Sequence, residues 1–261
     1  MSASAATWNN GSIRLASFNI QIGIRTRGYE DYLLKSWQHL WPSDKRFANL
    51  ERIASFLKDF DIVGLQEVDG GGARSRYVVQ TEFLAQEAGF PYWYNQVNRR
   101  LGRVALHSNG LLSRFPPSHV KSFSLPGLPG RGAVLVRFGN GEPALTLVIL
   151  HLALGAQARR NQLDFVAEHI FALPHVIVMG DLNCGTKAKE LQRFLGKTGL
   201  IDPHPQLRTF PSWGPKRKLD HILVSPDIDV ARIEVFDFVC SDHLPIGAEV
   251  RLPSTLSLRA A

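Results

Sequence analysis

Asp181 and Asn183 stand one residue apart, just past an apolar run (residues 176–179) that stops at Gly180. In an extended segment that spacing puts both side chains on one face. A carboxylate and an amide aimed at one point suit work on a phosphate: the carboxylate orients or deprotonates a water, and the amide holds an oxygen. The same pair also fits a plain turn in which Asp and Asn cap the next helix. Other polar residues recur in this setting. Asn19 closes the run 13–18, Glu67 follows 62–65, His151 follows 145–150, and Asp220 opens the run 222–224. Asp242 and His243 precede the last run, 246–252. A lone histidine at a strand end is more often structural than catalytic, so only the set carries weight. Carboxylates and amides without cysteine are hard oxygen ligands suited to Mg²⁺ or Mn²⁺. With histidines supplying acid–base groups near neutral pH, the set asks for metal-assisted hydrolysis of a phosphoester.

Positioning these groups needs strands that end at one rim. The short unbroken apolar runs fit buried strands. The spacing of Phe47, Leu50, Ile53, Ala54 and Leu57 predicts a helix over 46–59, capped by Ser43 or Asp44. Further helices are expected at 79–88, ended by Gly89, at 157–171, and at 186–195, closed by Gly196. Strands are expected at 92–97, 109–112, 119–123, 132–138, 144–151 and 233–238. Arg99, Arg100 and Arg103 fall in a basic turn after the first of these, where a solvated hairpin tip is the commoner role. Strand–helix–strand units point to a layered α/β fold with the rim residues at the carboxyl ends of strands, where ligands bind. No linker, repeat or low-complexity segment interrupts the chain. Residues 12–252 are expected to form one domain, with loose termini at 1–11 and 253–261.

The chain has 261 residues, a formal net charge of +7 and 44% hydrophobic residues, which allows a full core. The basic excess suits an anionic partner: nucleic acid, an anionic membrane surface or a phosphorylated small molecule. Two cysteines, Cys184 and Cys240, make neither a disulfide framework nor a zinc pattern. The first ten residues lack a basic region and a long apolar stretch, so no signal peptide is expected. No run reaches the roughly 18–20 apolar residues of a membrane span. A cytoplasmic location is the expectation.

The ordered motifs resemble the endonuclease/exonuclease/phosphatase superfamily, whose fold is DNase I-like. They are Ser-Phe-Asn-Ile-Gln (17–21), Gly-Leu-Gln-Glu-Val (64–68), Asn-Gly-Leu-Leu-Ser-Arg-Phe-Pro (109–116), Leu-His-Leu (150–152), Gly-Asp-Leu-Asn (180–183), Leu-Asp-His-Ile-Leu (219–223) and Ser-Asp-His-Leu-Pro (241–245). The resemblance implies an α/β (α+β) four-layer sandwich of two packed mixed β-sheets flanked by helices. It implies metal ligation by Glu67 with help from Asn19 and Asp242. By the same resemblance Asp181 activates the attacking water, Asn183 holds a phosphate oxygen, and His243, oriented by Asp220, stabilises charge on the phosphate. His151 matches a position that is His in DNase-like, sphingomyelinase-like and inositol-phosphatase-like members. Abasic-site endonucleases commonly have Tyr there. Gln21 departs from members with Asp at that position, and an amide is a weaker ligand for a hard cation.

Reaction class is more legible than substrate. Arg99, Arg100, Arg103 and Lys216-Arg217-Lys218 would suit a nucleic-acid backbone, with Trp213 stacking on a base. Asn109 and Arg114 are further candidate substrate contacts. The alternative is a phosphodiesterase or phosphatase for phospholipid headgroups or small phosphorylated metabolites, in which the aromatic segment 28–44 would roof the pocket or touch a membrane. A binding protein on a retired enzyme fold is disfavoured, because such a chain should have lost at least one rim residue. Residues 154–162 and 209–213 are similar to a bacterial subgroup of metal-dependent hydrolases without long DNA-binding insertions.

Overall fold

The computed structural model describes residues 12–26, 44–139, 141, 143–256 and 258. The aromatic segment 28–43 lies outside them. In chain order the elements are β1 (Ser12–Asn19), α1 (Asp44–Leu57), β2 (Ile62–Asp69), α2 (Gln80–Ala88), β3 (Tyr92–Leu101), β4 (Ala105–Ser113), β5 (Pro117–Ser124) and β6 (Gly132–Phe138). Then come β7 (Leu145–His151), α3 (Ala156–Ile170), β8 (Val176–Asp181), α4 (Lys189–Thr198), β9 (Asp220–Val224), β10 (Asp229–Val235) and β11 (Ile246–Arg251). One six-stranded sheet has the order β10-β11-β1-β2-β4-β3 and the other, five-stranded, β5-β6-β7-β8-β9. Both are mixed: β1–β2 and β7–β8 run parallel, and their other neighbours antiparallel.

Alternation along each strand builds the layers. Ile13 and Leu15 of β1, Ile149 of β7, Met179 of β8 and Ile222 of β9 belong to one buried cluster between the sheets. Ala16 and Phe18 face α1 and α2. Leu150 and Val178 face α3 and α4. The order helix–sheet–sheet–helix is the four-layer sandwich expected above. Part of the carboxyl-terminal stretch expected to be loose packs on the inter-sheet core, through Leu256 and Leu258.

Several boundaries differ from the sequence reading, and three have a clear physical reason. Helix α4 runs three residues beyond Leu195, because the left-handed residue that stops it is Gly199 (φ 71°), whose N–H bonds to Leu195 O. Gly196 sits inside the helix. Strand β10 covers 229–235 instead of 233–238, because it pairs with β11 from Asp229. Phe236 and Phe238 leave the ladder and pack on Phe56. Strand β3 extends through Leu101, so Arg99 and Arg100 lie on a strand and not in a turn. Gly180 has φ 146°, and a side chain there would come within 2.0 Å of Leu150 O. Only glycine lets β8 approach β7 at the point where Asp181 follows.

Candidate active site

The inward-facing stripe of each central strand ends in a polar residue at the same rim. In the five-stranded sheet His151 pairs with Asp181, and Asp181 with Asp220. They therefore occupy one rung, two residues from Ile149, Met179 and Ile222 of the apolar core. Asn19 continues the inward stripe of β1. Glu67 would point the wrong way by strict alternation. A β-bulge between Leu65 and Val68 and a left-handed backbone at Glu67 (φ 53°) re-aim it. Val68 then returns to the helix-facing cluster. Asp242 and His243 arrive on the loop before β11, whose first residues pair with the end of β1.

The geometry is compact. Asn19 donates from Nδ2 to Asp181 Oδ2 at 3.1 Å. His151 Nε2 lies 3.4 Å from that oxygen and 3.8 Å from Glu67 Oε1. His243 Nε2 lies 3.8 Å from Asp181 Oδ2, while its Nδ1 lies 2.8 Å from Asp220 Oδ2. Thr209 Oγ1 also donates to Asp220 Oδ2. Asn183 is past the strand, with φ 53°, so the extended spacing expected for it does not hold. Its N–H donates to Asp181 Oδ1 at 2.9 Å, and its Nδ2 donates to Leu152 O at 2.9 Å. An amide nitrogen carries two hydrogens, which leaves one for another acceptor. Ser241 Oγ donates to Asn19 O at 2.6 Å and lies 3.2 Å from Asp242 Oδ1, locking the last loop onto β1.

The electrostatics divide the two histidines. Burial opposes charge on His243, but the carboxylates of Asp220 and Asp181 outweigh it and raise its pKa to about 10. Burial lowers His151 well below its ordinary value, and Arg131 and His243 add to that. One ring is thus an imidazolium and the other neutral at physiological pH. Burial pushes Asp181 up to about 6, with His243 opposing and Asp220 adding. Glu67 is raised by burial, with His243 opposing and Asp181 adding. Asp242 is pushed up to about 6 by burial, with His243 opposing and Glu67 adding.

Two sets of groups are candidates for a cation. Ligand atoms of Asp181, Asp220 and His243 lie within 4.8 Å of one another, with His243 Nδ1 already engaged by Asp220. Glu67 and Asp242 are hard oxygen donors, and the Glu67 carboxylate helps raise Asp242, so a cation held by the two would relieve a charge conflict the fold otherwise keeps. Asn19 turns its amide NH₂ to Asp181 and accepts from Gln21 N at its Oδ1. Gln21 Oε1 accepts from Thr26 Oγ1.

The structure does not bring the remaining sequence candidates to the rim as donors. Arg114 bonds the carbonyls of Phe60, Gly89 and Lys58. It follows Ser113, which pairs with Ile62 at the opposite end of β2. Asn109 is fully buried and donates to Gln96 Oε1 and Gly132 O, joining the two sheets. Lys218 is no part of a basic track: it is buried, with Nζ 2.6 Å from Asp202 Oδ1. Trp213 is half-buried, in a loop held by Ser212 N–H donating to Asp242 O. Conversely, Arg131 was not singled out by sequence. Its Nη1 lies 2.6 Å from His151 Nε2. The only signal was its place between two glycines. Thr209 was likewise missed.

A family model described as Endonuclease/Exonuclease/phosphatase family matches residues 16–243. No curated protein matches the chain. Among solved structures, an endonuclease/exonuclease/phosphatase from Beutenbergia cavernae is similar, with TM-score 0.72 and 22% identity, over 93% of this chain and 72% of that one. A mannosyl-6-phosphatase from Bacteroides thetaiotaomicron has TM-score 0.66 and 20% identity, over 91% of this chain and 99% of that one. A sphingomyelinase C from Streptomyces griseocarneus has TM-score 0.60 and 17% identity, over 91% and 99%. No described helix is long and apolar enough to cross a membrane.

Proposed function

The chain belongs to the endonuclease/exonuclease/phosphatase family, and on that premise we propose that it is a divalent-metal-dependent hydrolase that cleaves a phosphoester by in-line attack of water. The observation that carries this reading is the Asp220–His243 pair facing Asp181, one rung beside His151. Asp181, raised to about 6 and so mostly ionised at neutral pH, orients a water and takes its proton. His243 donates from Nε2 to the phosphoryl oxygen on which charge develops, and Asp220 holds it charged and aimed. Asn183 supplies its second amide hydrogen to another oxygen. His151, neutral, accepts a hydrogen bond beside Asp181. Glu67 and Asp242, with Asn19 next to them, would hold Mg²⁺ or Mn²⁺, which offsets phosphoryl charge when bound.

The net charge of +7 suits an anionic substrate of either class, nucleic acid or small phosphoester. With Lys218 ion-paired, one group of the expected nucleic-acid surface is withdrawn, and Arg114, a further candidate substrate contact, lies at the far rim. A cavity of about 250 Å³ lies beside Glu67 and His151. These features favour a compact phosphorylated molecule. The test is a panel with Mg²⁺ or Mn²⁺ beside Asp181→Asn: single- and double-stranded DNA, RNA, phospholipid headgroup esters, sugar phosphates and a bis-aryl phosphodiester. Cleavage that is lost with a chelator and in the variant is expected. Chelator-insensitive turnover would sink the proposal, and variant-sensitive cleavage of nucleic acid alone would reverse the preference for small substrates.

A further inference from the structure

The cavity beside the rim is larger than the chemistry requires. Glu67 and His151 form its inner end, and Asn98, Arg99, His107 and Arg131 line the rest. Its volume, about 250 Å³, lies below the ~300–1,000 Å³ of pockets for drug-sized ligands, which suits one small group and not a polymer. The wall is cationic. Among the described residues neither Arg99 nor Arg131 is ion-paired to a carboxylate. Arg131 spends one nitrogen on the neutral ring of His151. Arg99 is exposed, and its stem lies along Gly130, where a side chain would come within 3.3 Å of Arg99 Cδ. Gly130 has φ 113°, so the turn needs a glycine there and the missing side chain leaves room for the arginine. His107 pairs in register with Arg99 across β3–β4. Burial and the nearby arginines Arg74, Arg99 and Arg131 depress its pKa to about 4, against the pull of Asp69, so it offers a neutral ring.

Two guanidiniums not ion-paired to a carboxylate among the described residues match an oxyanion, because their forked donors fit phosphate geometry. Resting on the hydrolase reading above, we propose that this cavity is a second anion subsite, holding a phosphoryl group of the substrate other than the one hydrolysed. The substrate class is then a small molecule with two phosphoryl groups, one seated on the rim and one between Arg99 and Arg131.

Binding to the chelated protein tests this without turnover. Calorimetry would compare thymidine 3′,5′-bisphosphate with thymidine 5′-monophosphate, and fructose 1,6-bisphosphate with fructose 6-phosphate. At least one bisphosphate should bind about tenfold tighter than its monophosphate, one charge-assisted contact's worth. The favoured pair tells nucleotide from sugar. Arg99→Ala, on an exposed side chain, should bring the ratio close to one. Asn98→Ala, a second variant on the same wall, should reduce the ratio as well. Ratios near one for both pairs in the native chain overturn the proposal, as does a full ratio kept in both variants. Hydrolysis is assayed separately with Mg²⁺, so absent turnover with the binding ratio intact would refute the hydrolase reading and support the subsite.

Discussion

Asp181→Asn should make the chelated protein more stable while abolishing turnover. The Asp181 side chain is buried and its pKa is pushed up to about 6, by burial first. Against an ordinary value near 3.9, that is roughly two pKa steps, each worth about 1.4 kcal/mol, so the ionised carboxylate costs the fold on the order of 3 kcal/mol when no cation is bound. Asparagine keeps the shape and removes the charge. It also removes an acceptor: Asp181 takes Asn19 Nδ2 on one oxygen and Asn183 N on the other. One of these donors would face an NH₂ group, at about 1–2 kcal/mol. The net gain is about 1–2 kcal/mol, or roughly 2–6 °C in Tm for a chain of this size. The pH dependence has a definite sign. The folded pKa is raised, so the native chain holds an extra proton between about pH 4 and 6. Its stability from this group is present below that window and is lost as pH rises through about 6. The Tm difference between variant and native should therefore open across pH 4–6 and level off above it. Scanning calorimetry in chelator at several pH values measures this, with kcat in Mg²⁺ expected to fall at least about a hundredfold. A variant less stable than native at neutral pH would make Asp181 a structural anchor and refute the reasoning. Near-normal turnover would remove it from the chemistry.

Asp220→Asn should lower kcat by roughly tenfold to a hundredfold, the worth of a buried charge-assisted bond. The basic limb of its pH–rate profile should move acidward, because the leading support for the His243 charge is gone; an unmoved limb would separate His243 from that limb. Lys218→Met should destabilise the fold by about 3–5 kcal/mol in urea titrations, because it strands the buried Asp202 carboxylate; a loss under about 1 kcal/mol would mean the pair is solvated. Burial would raise Asp202, but the facing His221 and Lys218 hold its carboxyl well below the usual range. Its contribution in the native chain should be present above about pH 4 and fade as pH falls further. Trp213→Ala should alter KM if the loop carried by Ser212 and Asp242 borders the substrate; unchanged KM and kcat would leave the ring a packing element.

The rim was legible because strand periodicity and site geometry coincide. His151 and Asp181 each stand two residues beyond an inward apolar residue, and Asp220 stands two before one. An apolar run that ends in a polar residue therefore marks both the strand's end and the face it presents. Glu67 was found by its place at the end of an apolar run, but the face it presents does not follow the strand's period, because a bulge shifts the register under it. Arg114, Asn109 and Lys218 were misjudged for one physical reason. Sequence reports that a side chain is polar but not whether a partner distant in the chain already holds it, and their partners lie between 13 and 56 residues away. Arg131 is the converse case. It precedes Gly132, which pairs with His151, so its place in the site is set by a cross-strand register that no local pattern encodes. Cavity walls built from neighbouring strands and turns, as at Arg99 and Arg131, are for that reason harder to read than the candidate rim residues. The rim residues sit where each strand's own pattern ends, whereas the wall depends on which strands become neighbours.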